Sequence, residues 1–278
     1  LGDVYKRQSS YSAIKSGTYN GDVDKQMKKV IEYFETKQAA AEIYVGTDYK
    51  ETSISSNVYK IIRNCQLQGG LAIACGDAGI GKTQACRQYY REHGTNCTYI
   101  TVNPCIKSSK SVLELIGSKL NVSSGSVSRL WLEISSKLSD GMVIIVDEAQ
   151  HLTRNAIDTL RSLCDCFDEK GQTLGICFVG NETTVSRLGG KQKAEFAQIR
   201  NRTKNTRFYS VKQIKKSDIE MLFPDIREDA AAVEFLLRIA QSPQAIRGAV
   251  NLYSNALDNG NVTAKGLSAI AKYMDMAV

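Results

Sequence analysis

The eight residues from Gly76 to Thr83 read GDAGIGKT and match the phosphate-loop pattern G-x-x-x-x-G-K-[ST]. A short apolar run (LAIAC) precedes them and an amphipathic segment follows, which is the strand–loop–helix context that the pattern requires. Glycines let such a loop wrap so that backbone N–H groups point at phosphate oxygens, and the following helix adds its positive end. We therefore predict a nucleoside triphosphate site formed by Gly76, Asp77, Ala78, Gly79, Ile80, Gly81, Lys82, Thr83 and Gln84.

Two further motifs complete this predicted site. Lys82 is expected to reach the β- and γ-phosphates, and the Thr83 hydroxyl is expected to ligate Mg²⁺. The run MVIIVDE predicts a buried strand that ends in acids at the edge where open α/β sheets bind ligands. We predict that Asp147 holds Mg²⁺ and that Glu148 polarises the attacking water. Asn181, after a third strand, is either a sensor of the γ-phosphate or an ordinary turn residue after Gly180.

Apolar strand-like runs alternate with helical patterns from Leu71 onward, which predicts a mostly parallel sheet covered on both faces. The fold class is therefore α/β: a P-loop NTPase sheet of about five strands flanked by helices. Helical patterns alone follow the last strand and predict a small all-helical C-terminal lid. The predicted strands are Leu71–Cys75, Thr98–Val102, Met142–Val146, Leu174–Val179 and Thr206–Val211.

The positive charge of the chain is concentrated in one stretch. The chain has a formal net charge of +7, and residues 191–216 contain nine Lys or Arg but one acid, Glu195. Such a strip favours a polyanionic partner, although a solvated helix face with nucleotide contacts would also explain it.

The remaining composition is that of an ordinary globular protein. No apolar run approaches the ~18 residues of a membrane span, and the chain lacks an apolar signal core at its start, so we expect a cytoplasmic protein with no membrane partner. Of its eight cysteines, Cys75, Cys105 and Cys177 lie in or beside apolar runs, where cysteine behaves as a small buried hydrophobe. The spacing of Cys164 and Cys166 does not fit a zinc site, and reduced thiols are expected.

With these motifs in view, the runs DEAQHL (147–152), VGNE (179–182) and FAQIRNR (196–202) resemble the AAA+ transposition helper ATPases, which include Mu-like target-DNA activators and helpers of insertion sequences. The resemblance covers about 12–278 and implies ATP and Mg²⁺ as cofactors. It implies that Arg202 is the arginine finger that reaches a neighbouring subunit's ATP, with Arg200 as a competitor for that role. Arg247 falls at the second sensor, and its alternative is an ordinary solvent-facing arginine.

The resemblance also implies partners. They are duplex DNA bound with little sequence preference, a DDE-type transposase, and further copies of the chain in a ring or helical filament. Basic residues near the loops would contact DNA phosphates, and any one of them could instead be a solvated surface charge. The candidates are Lys107, Lys110, Arg129 and Arg154.

The predicted domain order combines these patterns with the resemblance. The first eight residues fit no neighbouring element and are predicted to be a non-native leader. Next come a remnant of an N-terminal helix-turn-helix domain, which is too short to read DNA by itself, and a linker. The AAA+ core and the lid complete the chain, so that the boundaries are 1–8, 9–36, 37–56, 57–212 and 213–278.

Three alternative functions remain open. A helicase loader would use the same core and deliver a helicase to DNA. A secretion-associated ATPase would need a membrane anchor or a peptidoglycan-binding module. A signalling ATPase that binds no nucleic acid would leave the basic strip at 191–216 unexplained.

Overall fold

The structure is a computed structural model, and it describes residues 12–19, 21–43, 49–184 and 203–276. The chain divides into two compact units, Leu1–Asp48 and Tyr49–Val278.

The first unit contains helix α1 (Val23–Ile43). Asp22 caps it, because its carboxylate accepts a hydrogen bond from the Lys25 backbone N–H (2.9 Å).

The second unit is built on a five-stranded parallel sheet in the order β2-β3-β4-β1-β5. All five strands that the sequence predicts are present, with ends that differ by at most three residues. The phosphate loop follows β1, and the predicted acids follow β3, its second neighbour across β4. The strands are β1 (Gly70–Gly76), β2 (Cys97–Thr101), β3 (Met142–Asp147), β4 (Leu174–Gly180) and β5 (Thr203–Tyr209).

Helices cover both faces of the sheet, because neighbouring residues of the central strands point to opposite faces and both sets are apolar. In β1, Ala72 and Ala74 belong to one buried cluster, and Leu71, Ile73 and Cys75 belong to the other. The helices of this α/β part are α2 (Ser53–Gln68), α3 (Lys82–His93), α4 (Ser109–Lys119), α5 (Val127–Lys137) and α6 (Arg154–Asp168).

A helical bundle follows β5, and the described residues contain no strand after it. It is called the lid below and comprises α7 (Lys216–Leu222), α8 (Ala230–Ala240), α9 (Ala245–Asp258) and α10 (Ala264–Tyr273). Its apolar side chains belong to the same buried cluster as those of α2 and α3. The all-helical C-terminal part predicted from the sequence is confirmed, and the boundary at 213 stays a prediction.

A buried carboxylate ties the lid to α2. Asp218 on α7 is 2% exposed. It accepts hydrogen bonds from Ser53 N (2.7 Å), Ser53 Oγ (2.7 Å) and Lys215 N (2.9 Å). The first turn of α2, the helix that precedes the phosphate-loop strand, is therefore held to the start of the lid.

The structure differs from the sequence predictions in two places. Helix α1 continues through Ile43 and α2 begins at Ser53, because Thr52 caps it by accepting from Ser55 N; helices therefore occupy both ends of the segment 37–56 predicted as a linker. Cys105 is exposed, not buried, because it lies in a turn after β2 whose backbone N–H groups bond the Asn103 side chain. Cys75 and Cys177 are buried, as expected.

We expect Asp218→Ala to lower the free energy of unfolding by about 2–4 kcal/mol, since it removes a buried acceptor from three donors. Urea denaturation followed by circular dichroism measures this. The matched control is Asp229→Ala, which removes a partly exposed helix cap on α8 and should cost about 1 kcal/mol. Equal losses in the two variants would show that Asp218 does not join the lid to α2.

Candidate nucleotide site

The loop between β1 and α3 has the backbone shape that phosphate binding needs. Gly79 (φ 75°) and Gly81 (φ 100°) are left-handed, a conformation that side chains with a Cβ rarely adopt. Helix α3 then begins at Lys82, so its positive N-terminal end faces the loop. The Lys82 ammonium donates hydrogen bonds to the carbonyl oxygens of Gly76 (3.0 Å) and Asp77 (2.6 Å), which holds the cation at the loop.

The Asp147 carboxylate lies beside the first turn of α3. Asp147 ends β3, is 2% exposed, and forms a side-chain hydrogen bond with the Thr83 hydroxyl. It also accepts from the Tyr99 hydroxyl (3.0 Å) and from the Glu148 backbone N–H (3.0 Å). The two predicted Mg²⁺ ligands, Thr83 and Asp147, are therefore adjacent oxygen donors, the type that Mg²⁺ prefers.

Burial makes this site electrostatically demanding. Burial lowers the pKa of the Lys82 ammonium, although the nearby Asp147 and Glu148 carboxylates oppose the shift. Burial raises the pKa of the Asp147 carboxyl, opposed by its bonds to Thr83 and Tyr99. A triphosphate beside Lys82 and a divalent cation beside Asp147 would supply the counter-charges that favour both charged forms, so the residues fit the ligands predicted from the sequence.

Glu148 stands next to Asp147 on an unusual backbone. Its φ of 58° and ψ of 33° are left-handed, which costs a residue with a side chain about 1–2 kcal/mol. The turn Ala149–His151 follows at once, and the His151 N–H donates to the Glu148 carbonyl (3.0 Å). The carboxylate is exposed and accepts a hydrogen bond from the Gln150 amide. This geometry turns the Glu148 side chain out of the β3 direction and leaves it accessible to water.

Asn181 follows β4, the strand next to β3. Its side-chain Oδ1 accepts hydrogen bonds from the Thr183 N–H (3.0 Å) and the Thr183 hydroxyl (2.5 Å), which caps the short turn that follows. The turn role of Asn181 is therefore present. Because these bonds use only Oδ1, the Nδ2 group is not committed to them, and the sensor role stays a prediction.

Arg247 brings the lid to the phosphate loop. Its backbone N–H donates to the Gly79 carbonyl (3.2 Å), and a Cβ at Gly79 would lie 3.2 Å from Arg247 Cβ. The Arg247 side chain is exposed. The residue predicted as second sensor thus adjoins the loop, while its contact with nucleotide stays a prediction.

Arg200 and Arg202, the two arginine-finger candidates, lie outside the described residues, as does the basic strip up to residue 202.

The predicted DNA contacts fall into two places. A backbone bond from Thr153 N to Lys107 O (2.9 Å) joins the loops after β2 and β3, so Lys107, Lys110 and Arg154 share the carboxyl edge of the sheet. Arg129 lies on the first turn of α5. Three of the four pair with an acid one turn along their own helix: Lys110 with Glu114 (3.9 Å), Arg129 with Glu133 (2.6 Å) and Arg154 with Asp158 (3.9 Å).

Sequence reasoning missed two residues of the site. Tyr99 donates to Asp147, and burial with the nearby carboxylate raises its pKa to about 12, so it is a neutral donor at every physiological pH. Gln150 joins Glu148 to the end of β4. The run DEAQ contained Gln150 beside the acids, but no local pattern indicates Tyr99, because its contact with Asp147 depends on the pairing of β2 with β3.

Comparison with known proteins agrees with this architecture. Residues 65–188 match the model of the AAA domain family. The chain is 28% identical to the ATP-dependent target DNA activator B of Escherichia phage Mu, across 95% of this chain and 85% of that protein. It is also 28% identical to the Mu-like prophage FluMu DNA transposition protein B of Haemophilus influenzae, across 87% of this chain and 85% of that protein.

Solved structures share the fold at low identity. The Aeropyrum pernix ORC2 protein superposes with a TM-score of 0.60 at 12% identity, over 83% of this chain and 71% of that one. The Aeropyrum pernix ORC1 protein in complex with DNA gives 0.56 at 15% identity, over 83% and 67%. None of the described helices combines the length and apolar character needed to cross a membrane.

The loop, the acids at the edge of the sheet and these similarities show an ATPase with the P-loop NTPase fold, similar to the AAA domain family and to the target DNA activator B of phage Mu.

Proposed function

We propose that this ATPase binds duplex DNA when loaded with ATP, assembles on it as a ring or helical filament, and presents that DNA to a DDE-type transposase. The observation that supports this most directly is the connection between the nucleotide site and the two segments that carry Lys107 and Arg154. Glu148 and Arg154 are separated by one short turn, and Thr153 is bonded to the Lys107 loop. A conformational change at Asp147 and Glu148 would therefore reach, within a few residues, the surface that is proposed to contact DNA phosphates.

In the proposed reaction, Lys82 and the loop N–H groups bind the triphosphate, while Thr83 and Asp147 hold Mg²⁺. The cation, when bound, neutralises charge on the phosphate oxygens. Glu148 accepts a proton from the attacking water, and Asn181 orients that water against the γ-phosphate. Arg247 contacts the phosphates from the lid. Arg202 of a neighbouring subunit completes the site, so that hydrolysis depends on assembly.

A helicase loader is the alternative with the same core. The relatives reported above are a target DNA activator and a DNA transposition protein, which favours transposition over helicase delivery. The net positive charge of the chain favours a nucleic-acid partner over the secretion and signalling alternatives.

Glu148→Gln should bind DNA with ATP and stay bound, because it keeps the nucleotide site but loses the proton acceptor. Lys82→Ala should fail to assemble, since it loses the cation that faces the phosphates. Electron microscopy of protein, duplex DNA and ATP, with phosphate release measured in parallel, tests both. Glu169→Gln and Lys119→Ala are matched controls at two exposed positions, the residue that follows the end of α6 and the last residue of α4. DNA coats formed equally well by wild type without nucleotide would refute the ATP-dependent step.

Lys107→Ala with Arg154→Ala should weaken DNA binding equally across sequences and reduce the slope of log K against log salt by about 1 per residue. The reason is that DNA binding releases fewer counterions when the protein makes fewer contacts with phosphates. Fluorescence anisotropy at several salt concentrations measures the slope, with Lys119→Ala as the control. An unchanged slope with reduced turnover would place both residues in catalysis, not on DNA.

Tyr99→Phe should lower the Mg²⁺ affinity of the ATP-bound protein by about 10-fold, because the hydroxyl that orients Asp147 is lost while the ring is kept. Titration of Mg²⁺ against ATPase rate measures this, and excess Mg²⁺ should restore most of the rate. A loss of rate that no Mg²⁺ concentration restores would contradict a role through Asp147. The matched control is Tyr90→Phe on α3. The ring of Tyr90 lies near that of Tyr99, with the ring centroids 6.0 Å apart.

A further inference from the structure

The side chain of Gln150 connects two parts of the site that the sequence keeps thirty residues apart. Its Nε2 donates to the Glu148 carboxylate. Its Oε1 accepts from the Asn181 backbone N–H (3.3 Å) and from the Thr184 hydroxyl (3.5 Å). One amide group therefore links the residue proposed as proton acceptor with the end of β4.

The surrounding backbone is shaped around this amide. A Cβ at Gly180 would lie 2.5 Å from Gln150 Oε1 and 2.2 Å from Thr184 Oγ1, so only glycine leaves room for the amide to reach β4. Thr184 is fully buried beneath it. On the other side, the left-handed backbone of Glu148 turns the chain so that Gln150 faces back toward the Glu148 carboxylate.

The chemistry of the Gln150 amide fixes which of its atoms faces each partner. A primary amide has donors on its nitrogen and acceptors on its oxygen, held in one plane. The carboxylate accepts only, so it must face Nε2, and the Asn181 N–H donates only, so it must face Oε1. Rotation of the amide therefore breaks both contacts together, and a shift of the Asn181 segment moves the group that holds Glu148.

We infer that Gln150 is a positioning residue that couples the orientation of the Glu148 carboxylate to the Asn181–Thr184 segment. Contact between Asn181 and the terminal phosphate of bound ATP is thereby transmitted to the group that activates water. This inference rests on the roles proposed above for Glu148 and Asn181, and it assigns to Gln150 no direct contact with substrate.

Two variants of the full chain test it. Gln150→Met keeps the size of the side chain and removes both contacts. Gln150→Glu keeps the acceptor toward Asn181 and places a carboxylate against Glu148. For both, we expect kcat for ATP hydrolysis to fall about 10- to 100-fold, with KM and the Kd of a fluorescent ATP analogue within about twofold of wild type. Gly180→Ala, whose Cβ displaces Oε1, should reproduce the fall in kcat.

The matched control is Gln88→Glu, which replaces an amide that also donates to a glutamate, Glu92 (2.6 Å), on the part of α3 beyond the site. Its kcat should stay near that of wild type. Wild-type kcat in Gln150→Met, alongside loss of turnover in Glu148→Gln, overturns the inference and leaves the role of Glu148 intact. Wild-type kcat in Glu148→Gln overturns both. If KM, Kd and the melting temperature of a Gln150 variant change together with kcat, Gln150 has only a structural role. That result also overturns the inference.

Discussion

The second compact unit is organised around two opposite charges that burial disfavours. The Lys82 ammonium is held at the phosphate loop by two backbone carbonyls, and the Asp147 carboxylate is almost completely buried beside it. Burial shifts the pKa of each toward its neutral form. A cation, an anion and several aligned N–H groups at one edge of a sheet therefore form a site whose charged state is favoured by a triphosphate and its metal ion.

The rest of the unit holds this edge in place. Parallel pairing sets β1, β4 and β3 side by side, so the loop, Asn181 and the acids end at the same edge. The lid contacts the phosphate loop, because the Arg247 N–H donates a hydrogen bond to the Gly79 carbonyl. Asp218 joins the lid to the first turn of α2, and Asp77 accepts from the Val211 N–H (2.8 Å) after β5. The phosphate loop thus contacts the lid and the segment after β5, so a change in the loop can reach the lid directly.

The acids also connect outward to the surface. Between Glu148 and Arg154 the chain makes one tight turn and then begins α6, and the Lys107 loop is bonded to that beginning. Gln150 lies inside the same turn and contacts β4. The segment from 147 to 154 therefore combines the proposed metal ligand, the proposed proton acceptor, a connection to the neighbouring strand and a surface cation within eight residues.

Local patterns were enough for the strands, most helices and the phosphate loop. Glycine spacing and apolar periodicity depend on residues a few positions apart, so the sequence contains them directly. The segment 37–56, predicted as a linker, contains helix at both ends, and its second helix begins after the cap at Thr52. The burial expected for Cys105 was wrong, because a turn at Asn103 exposes it.

The sequence by itself determined that a strand, a glycine loop and a helix would form a triphosphate site, and that acids would end a buried strand. Only the tertiary structure decided that Tyr99 orients Asp147, that Gln150 joins Glu148 to Asn181, and that Arg247 meets Gly79. The physical reason is that these hydrogen bonds link residues far apart in the chain, or depend on which strands are neighbours. The partners of Tyr99, of the Gln150 amide oxygen and of Arg247 are set by sheet order and by the position of the lid, which no short window of sequence contains.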